Sequence, residues 1–243
     1  MPILLKKLIQ LCSSLIISVS LFSAVSAVDL KTGLITGKIA AEGGIPLSDW
    51  RVRLFDAKTG PSPFTNEYWR IPDHTGISGE DGRFTITVPE GTYYMIAIKQ
   101  TDRKRSAIIG ENDLVYPPLD SREQKTFIVK GGETTDIGVI SGAVPFKKGW
   151  ALQGKTGIGG IVFDSKGTPY QGVDVRASDT PDWTGARFHA DSITDSEGRF
   201  IVRLPKGGSY YLKVRGHQHP DPVTVRTGEM TSGIRVQYSD SPQ

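Results

Sequence analysis

The chain has 243 residues, of which 29 are Lys or Arg and 26 are Asp or Glu, a net charge of +3. That balance excludes a global basic field for nucleic acid, and the length suits one large or two small domains. The single cysteine, Cys12, stands near the start, so disulfides, thiol nucleophiles and Cys-based metal sites are excluded from everything after it.

The first segment reads as a secretory leader. Lys6 and Lys7 form a short positive region, Leu8 to Phe22 is apolar apart from scattered Ser and one Gln, and Val25 and Ala27 are the small residues before a cut after Ala27. The apolar run of 15 residues, broken by serines, is shorter than the roughly 20 that a membrane helix needs. A signal peptide over 1–27 is therefore expected, with no membrane span after cleavage. Gln10 is the wrong residue before a lipoprotein cysteine, so Cys12 is not expected to carry lipid. Removing Lys6 and Lys7 leaves 27 cations against 26 anions on residues 28–243. The expected address is the periplasm, the outer surface or the medium.

From Leu34 onward the chain repeats itself. Leu34-Ile35-Thr36-Gly37-Lys38-Ile39 parallels Ile158-Gly159-Gly160-Ile161-Val162, and each is followed by a Gly/Pro turn, Gly43-Gly44-Ile45-Pro46 and Lys166-Gly167-Thr168-Pro169. Trp50 to Leu54 parallels Val173 to Ala177. Asp81-Gly82-Arg83-Phe84 matches Glu197-Gly198-Arg199-Phe200 at an offset of 116, followed by Pro89, Gly91 and Tyr93-Tyr94 against Pro205, Gly207 and Tyr210-Tyr211. The closing Gly132-Glu133-Thr134 matches Gly228-Glu229-Met230 at an offset of 96. About twenty extra residues therefore lie in the first copy, at 101–124, where the second has only Gly216 to Asp221. Phe84, Ile86 and Val88 alternate with threonines, and Phe200, Val202 and Leu204 alternate with Ile201 and Arg203. Such period-2 patterning marks strands with one face on a core. Gly82 and Gly198 suit tight turns, no capped 3.6-residue period indicates a helix, and the strand spacing indicates sandwiches.

The order Gly-x-Ile/Val, a Gly/Pro turn, Val-x-Val/Leu, Gly-Arg-Phe, Pro-x-Gly-x-Tyr-Tyr and a Gly-Glu closing strand resembles the carboxypeptidase regulatory-like domain. Gly82-Arg83-Phe84 with Pro89 and Tyr93, and Gly198-Arg199-Phe200 with Pro205 and Tyr210, carry the resemblance most specifically. It implies an all-β fold of two tandem seven-stranded transthyretin-like (Ig-like) β-sandwiches after the signal peptide, without the peptidase domain. The expected division is a first sandwich over 28–142 with its insertion at 101–124, a linker at 143–156, a second sandwich over 157–238 and a tail at 239–243. Phe146 and Trp150 are placed to pack the linker against one sandwich. Family members of this kind commonly act as accessory or adhesion modules, and carbohydrate binding is often proposed for them.

Three places carry possible chemistry. In the insertion, Arg103-Lys104-Arg105 is basic and Tyr116 is aromatic; a long loop on a rigid sandwich is where recognition tends to reside, and the alternative is an ordered cover over a sheet edge. Trp69 and Trp183 stand at matching places in the repeats, with Asn66, Glu67, Arg70, Asp182 and Arg187 nearby, either as a sugar-binding platform or as aromatic plugs of a small core. In His217-Gln218-His219-Pro220-Asp221, residues i and i+2 of an extended chain face the same way, so His217, His219 and Asp221 would converge on a transition metal; the alternative is a polar hairpin tip. Tyr210 and Tyr211 precede that loop, and intradiol dioxygenases, on a similar sandwich, ligate iron with two Tyr and two His. No nucleophile elbow, zinc-helix motif or phosphate loop is present in the sequence. The expectation is a non-catalytic exported module, with no catalytic residue and no cofactor, that engages an envelope or extracellular protein. A carbohydrate-binding module and a metal-binding enzyme at His217-x-His219 are the alternatives.

Overall fold

The computed structural model of the chain describes residues 31–63, 66–101, 109–117 and 125–238. The protein is all-β: among the described residues the helical turns are two short 3-10 segments, Glu42–Gly44 and Lys148–Trp150. The strands of the first half are β1 (Thr32–Ile39), β2 (Arg51–Asp56), β3 (Trp69–Arg70), β4 (His74–Ile77), β5 (Arg83–Pro89), β6 (Gly91–Lys99), β7 (Leu114–Tyr116), β8 (Thr126–Val129), β9 (Thr134–Ile140) and β10 (Val144–Pro145). Those of the second are β11 (Gly157–Phe163), β12 (Val175–Ser178), β13 (Arg187–His189), β14 (Arg199–Arg203), β15 (Gly208–Val214), β16 (His217–Gln218), β17 (Val223–Val225) and β18 (Met230–Gln237).

Each half has a three-stranded sheet, β5-β1-β9 or β14-β11-β18, facing a larger sheet. In both small sheets the first strand pairs antiparallel with the Gly-Arg-Phe strand and parallel with the closing strand. The alternation read in β5 holds: Phe84, Ile86 and Val88 are buried and Arg83, Thr85 and Thr87 are exposed. Gly82 (φ 76°) and Gly198 (φ 70°) make the turns before these strands. A Cβ added to either would lie 2.3 Å from a carbonyl oxygen, of Ile39 or Val162, so the turn needs glycine for both conformation and room.

The larger sheets run β10-β7-β6-β2-β4, with β8 also on β6, and β16-β15-β12-β13-β3, with β17 also on β15. The last member of the second sheet comes from the first half of the chain. Trp69 and Arg70 pair antiparallel with His189 and Phe188, so β3 covers the edge that β13 would otherwise leave open. Tyr68 follows it into the second core, where it packs edge-on against Phe188. A division at the linker assigns Tyr68 to Arg70 to the first half; in the folded chain they belong to the second sheet.

The first half differs from the second on the outer face of its larger sheet. Tyr93, Met95 and Ala97 of β6 point into the core, while Ile96 and Ile98 join Phe55, Ile109, Val115 and Phe146 in a separate buried cluster on the other side. Both faces of β6 are thus covered. The cover is the foot of the insertion and the 143–156 segment, which is a packed strap rather than a plain spacer. Its strand β10 pairs with β7, Phe146 is 1% exposed, and Phe146 exchanges backbone hydrogen bonds with Asn112 and Asp113.

Candidate functional site

The two hairpins expected to differ at their tips are structural counterparts. Ala97 of β6 pairs with Tyr116 of β7, and Val214 of β15 pairs with His217 of β16. In the second half the strands are joined by Arg215 and Gly216, both at positive φ. In the first half they are joined by residues 100–113, and β7 itself falls within the insertion.

The insertion is braced at its foot. Asp113 is fully buried, and its carboxylate accepts hydrogen bonds from the Thr101 amide and hydroxyl and from the Gly110 amide. Glu111 accepts from the Lys148 amide and lies 3.7 Å from Lys147. These bonds tie the loop to the strap. Arg103, Lys104 and Arg105 lie outside the described residues. Tyr116 is half-buried in β7 and packs against the first core. Beneath the loop, Arg53 is 6% exposed, and its guanidinium is held down to about 10 by burial, with Arg51 beside it and Asp113 opposing.

The two tryptophans do not form one platform. Trp69 packs against Phe146, with ring centroids 5.7 Å apart, and belongs to the cluster under the strap. That leaves it as the plug of a buried layer and not as an open aromatic face. Trp183 is half-buried with φ 64°; its Nε1 donates to Gln218 Oε1 at 3.0 Å, and Lys213 Nζ sits 4.3 Å from its ring. The side chain of Trp150 lies outside the description.

In the 217–221 loop the histidines face separate partners. His217 turns onto Tyr238, with ring centroids 5.2 Å apart, and the His219 ring nitrogen Nδ1 pairs with the Asp221 backbone carbonyl at 2.8 Å. Among the described residues no three His, Cys, Asp or Glu side chains gather as a ligand set. Tyr210 is buried and donates its hydroxyl to the Lys206 carbonyl. The i, i+2 rule fails because the hairpin pairing ends at Gln218, so His219 leaves the strand.

The strongest electrostatic arrangement was not visible in the sequence. The Arg70 side chain is 0% exposed and donates to the carbonyls of Asp56, Gly60 and Pro61 and to Asp73. Burial lowers its pKa, and Asp73 opposes that shift. Asp73 also lies 3.2 Å from Arg187 and accepts the Asp56 amide, so one carboxylate bridges cations from both halves. A second buried pair, His189 Nδ1 with Asp174 Oδ1 at 3.2 Å, stands on β13 beside the same junction.

No family model matches the chain, and no curated protein matches it. Among solved structures it is similar to a streptococcal ancillary pilin, 14% identical over 88% of this chain and 64% of that one, TM-score 0.27. It is similar also to BcpA, the major pilin subunit of Bacillus cereus, 9% identical over 87% of this chain and 100% of that one, TM-score 0.28. A third is the Bacillus anthracis TIE protein, 13% identical over 86% of this chain, TM-score 0.28, of which this chain spans about a third (34%). At such scores these likenesses carry no functional argument.

Proposed function

We propose that this is a non-catalytic exported binding or assembly module that engages a protein partner at the cell envelope. The observation that carries the reading is the junction at β3. A strand, a buried tyrosine and a shared carboxylate lock the two halves together. The counterpart hairpins, one with a long connection and one with a short one, belong to that common scaffold. A rigid support with one elaborated loop is the usual arrangement for recognition. The basic Arg103-Lys104-Arg105 run within that loop suits an acidic surface. The leader read in residues 1–27 supports export, and among the described residues no helix is long and apolar enough to cross a membrane.

The test is affinity capture with chemical crosslinking from the host envelope, comparing the full chain with a variant in which Asp102 to Ile108 are deleted and bridged by a short Gly-Ser linker, so that β7 and the Asp113 brace stay. The deletion is expected to keep the fold and to lose the crosslinked partner. Capture that survives the deletion sinks the loop as the contact.

A further inference from the structure

We infer that the open end of the first half is a binding pocket for a phenol-sized aromatic ring. The argument comes from the repeat itself. At the matching end of the second half, Tyr238 is 5% exposed and sits between two rings: Tyr170, centroid 4.9 Å away and edge-on, and His217, 5.2 Å away and edge-on. Hydrogen bonds and strand register identify the counterpart of each residue. Tyr170 donates its amide to Val162 as Leu47 does to Ile39. His217 pairs with Val214 as Tyr116 pairs with Ala97. The Val173 amide bonds Thr194 Oγ1 as the Trp50 amide bonds Ser78 Oγ. Val236 pairs with Val162 as Ile140 pairs with Ile39, which sets Tyr238 against Gly142.

The first half therefore keeps the walls of this aromatic site and lacks its central ring. A cavity of about 570 Å³ opens there, walled by Leu47, Trp50, Leu114, Tyr116, Ile140 and Gly142. Its size lies in the range of small-molecule sites, roughly 300–1,000 Å³. Its lining is mostly apolar and aromatic, the kind of surface that an aromatic ring desolvates on entry. Glu42 and Ser141 stand on the same wall and offer hydrogen-bond acceptors to a phenolic hydroxyl. The pocket is independent of the proposed loop contact and goes beyond it.

The probe is p-cresol, the tyrosine side chain as a free molecule, titrated into the purified protein by calorimetry and ligand-observed NMR. N-acetyl-tyrosine amide in a parallel arm separates a free small molecule from a ring carried on a peptide. Tyrosine at Gly142 is unsuited as a control, since that residue has φ 81°. Ala41→Phe and Ala143→Phe, each at a residue that lines the pocket, fill it instead. Saturable p-cresol binding is expected, weakened at least tenfold in either variant while both keep the native melting profile. Binding of the amide as well assigns a peptide-borne ring; binding of p-cresol alone assigns a small molecule. No saturable binding of either probe, or binding undiminished in both variants, overturns the proposal.

Discussion

Tyr68 meets Phe188 edge-on, with ring centroids 5.6 Å apart and planes at 86°, although one residue belongs to the first repeat and the other to the second. Its hydroxyl donates to the Ser62 carbonyl at 2.9 Å. Tyr68→Ala should therefore destabilise the second half by about 3 kcal/mol, the usual range for a large buried aromatic. Tyr68→Phe should cost about 1 kcal/mol, the value of one hydrogen bond. Denaturant melts of the two variants check both figures, and equal losses would show that the ring contact contributes little.

Asp73 joins Arg70 and Arg187 but is not equally important to them. The Arg70 side chain is fully buried, whereas that of Arg187 is 30% exposed. Asp73→Asn leaves a buried guanidinium without its counter-charge and should cost about 3 kcal/mol or more. Arg187→Gln removes a partly solvated partner and should cost about 1 kcal/mol or less. Chemical denaturation ranks the two, and a reversed ranking would overturn this account of the junction.

Burial pushes the hydroxyls of Tyr68, Tyr93 and Tyr210 up to about 12. In the unfolded chain tyrosine ionises near pH 10. Between about pH 10 and 12 the unfolded state then holds fewer protons than the folded one, so stability falls as pH rises. The fall should be steepest at about pH 11, midway between the folded and unfolded values. Denaturant midpoints at pH 9, 10 and 11, with tyrosinate absorbance as the reporter, measure it; a flat profile contradicts it.

At the acid end, burial raises the Asp174 carboxyl, but hydrogen bonding to His189 and the charge of Arg176 outweigh it, so the net shift is downward. A depressed carboxyl stabilises the fold above its unfolded pKa of about 3.9 and loses that contribution as pH falls through the folded value. Asp174→Asn should therefore be less stable than the native chain at pH 7, with the gap closing below about pH 4. Paired melts across that range decide it.

Gly198→Ala meets the Val162 carbonyl at 2.3 Å while holding φ near 70°. A loss of about 2 kcal/mol or more is expected from strain and close contact together. Gly82→Ala, whose added carbon meets Ile39 at the same distance, should behave alike, and thermal melts of the pair test whether the repeat is also an energetic one.

Much of the architecture was legible because it is local. The alternation in Phe84-Ile86-Val88 selects a buried face whatever lies opposite, and Gly82 and Gly198 announce turns that only glycine fits. The difference in hairpin length between the copies was readable as a change of offset, and the structure places both tips on counterpart strands. The tips' chemistry was not readable: His217, His219 and Asp221 look like a ligand set in one dimension, but a neighbouring aromatic takes the first and a backbone carbonyl takes the second.

By itself, then, the sequence determined the strand content, the repeat and the turn positions, since each depends on residues within a few places of one another. Only the tertiary structure decided that Trp69 and Arg70 add to the far sheet, that the 143–156 segment lies down over β6, and that Gly142 leaves a space where Tyr238 fills one. A two-residue strand has no pattern that names its partner. Which edge it joins depends on where Tyr68 buries its ring and where Arg70 finds its carboxylate, and both of those are distant in the chain.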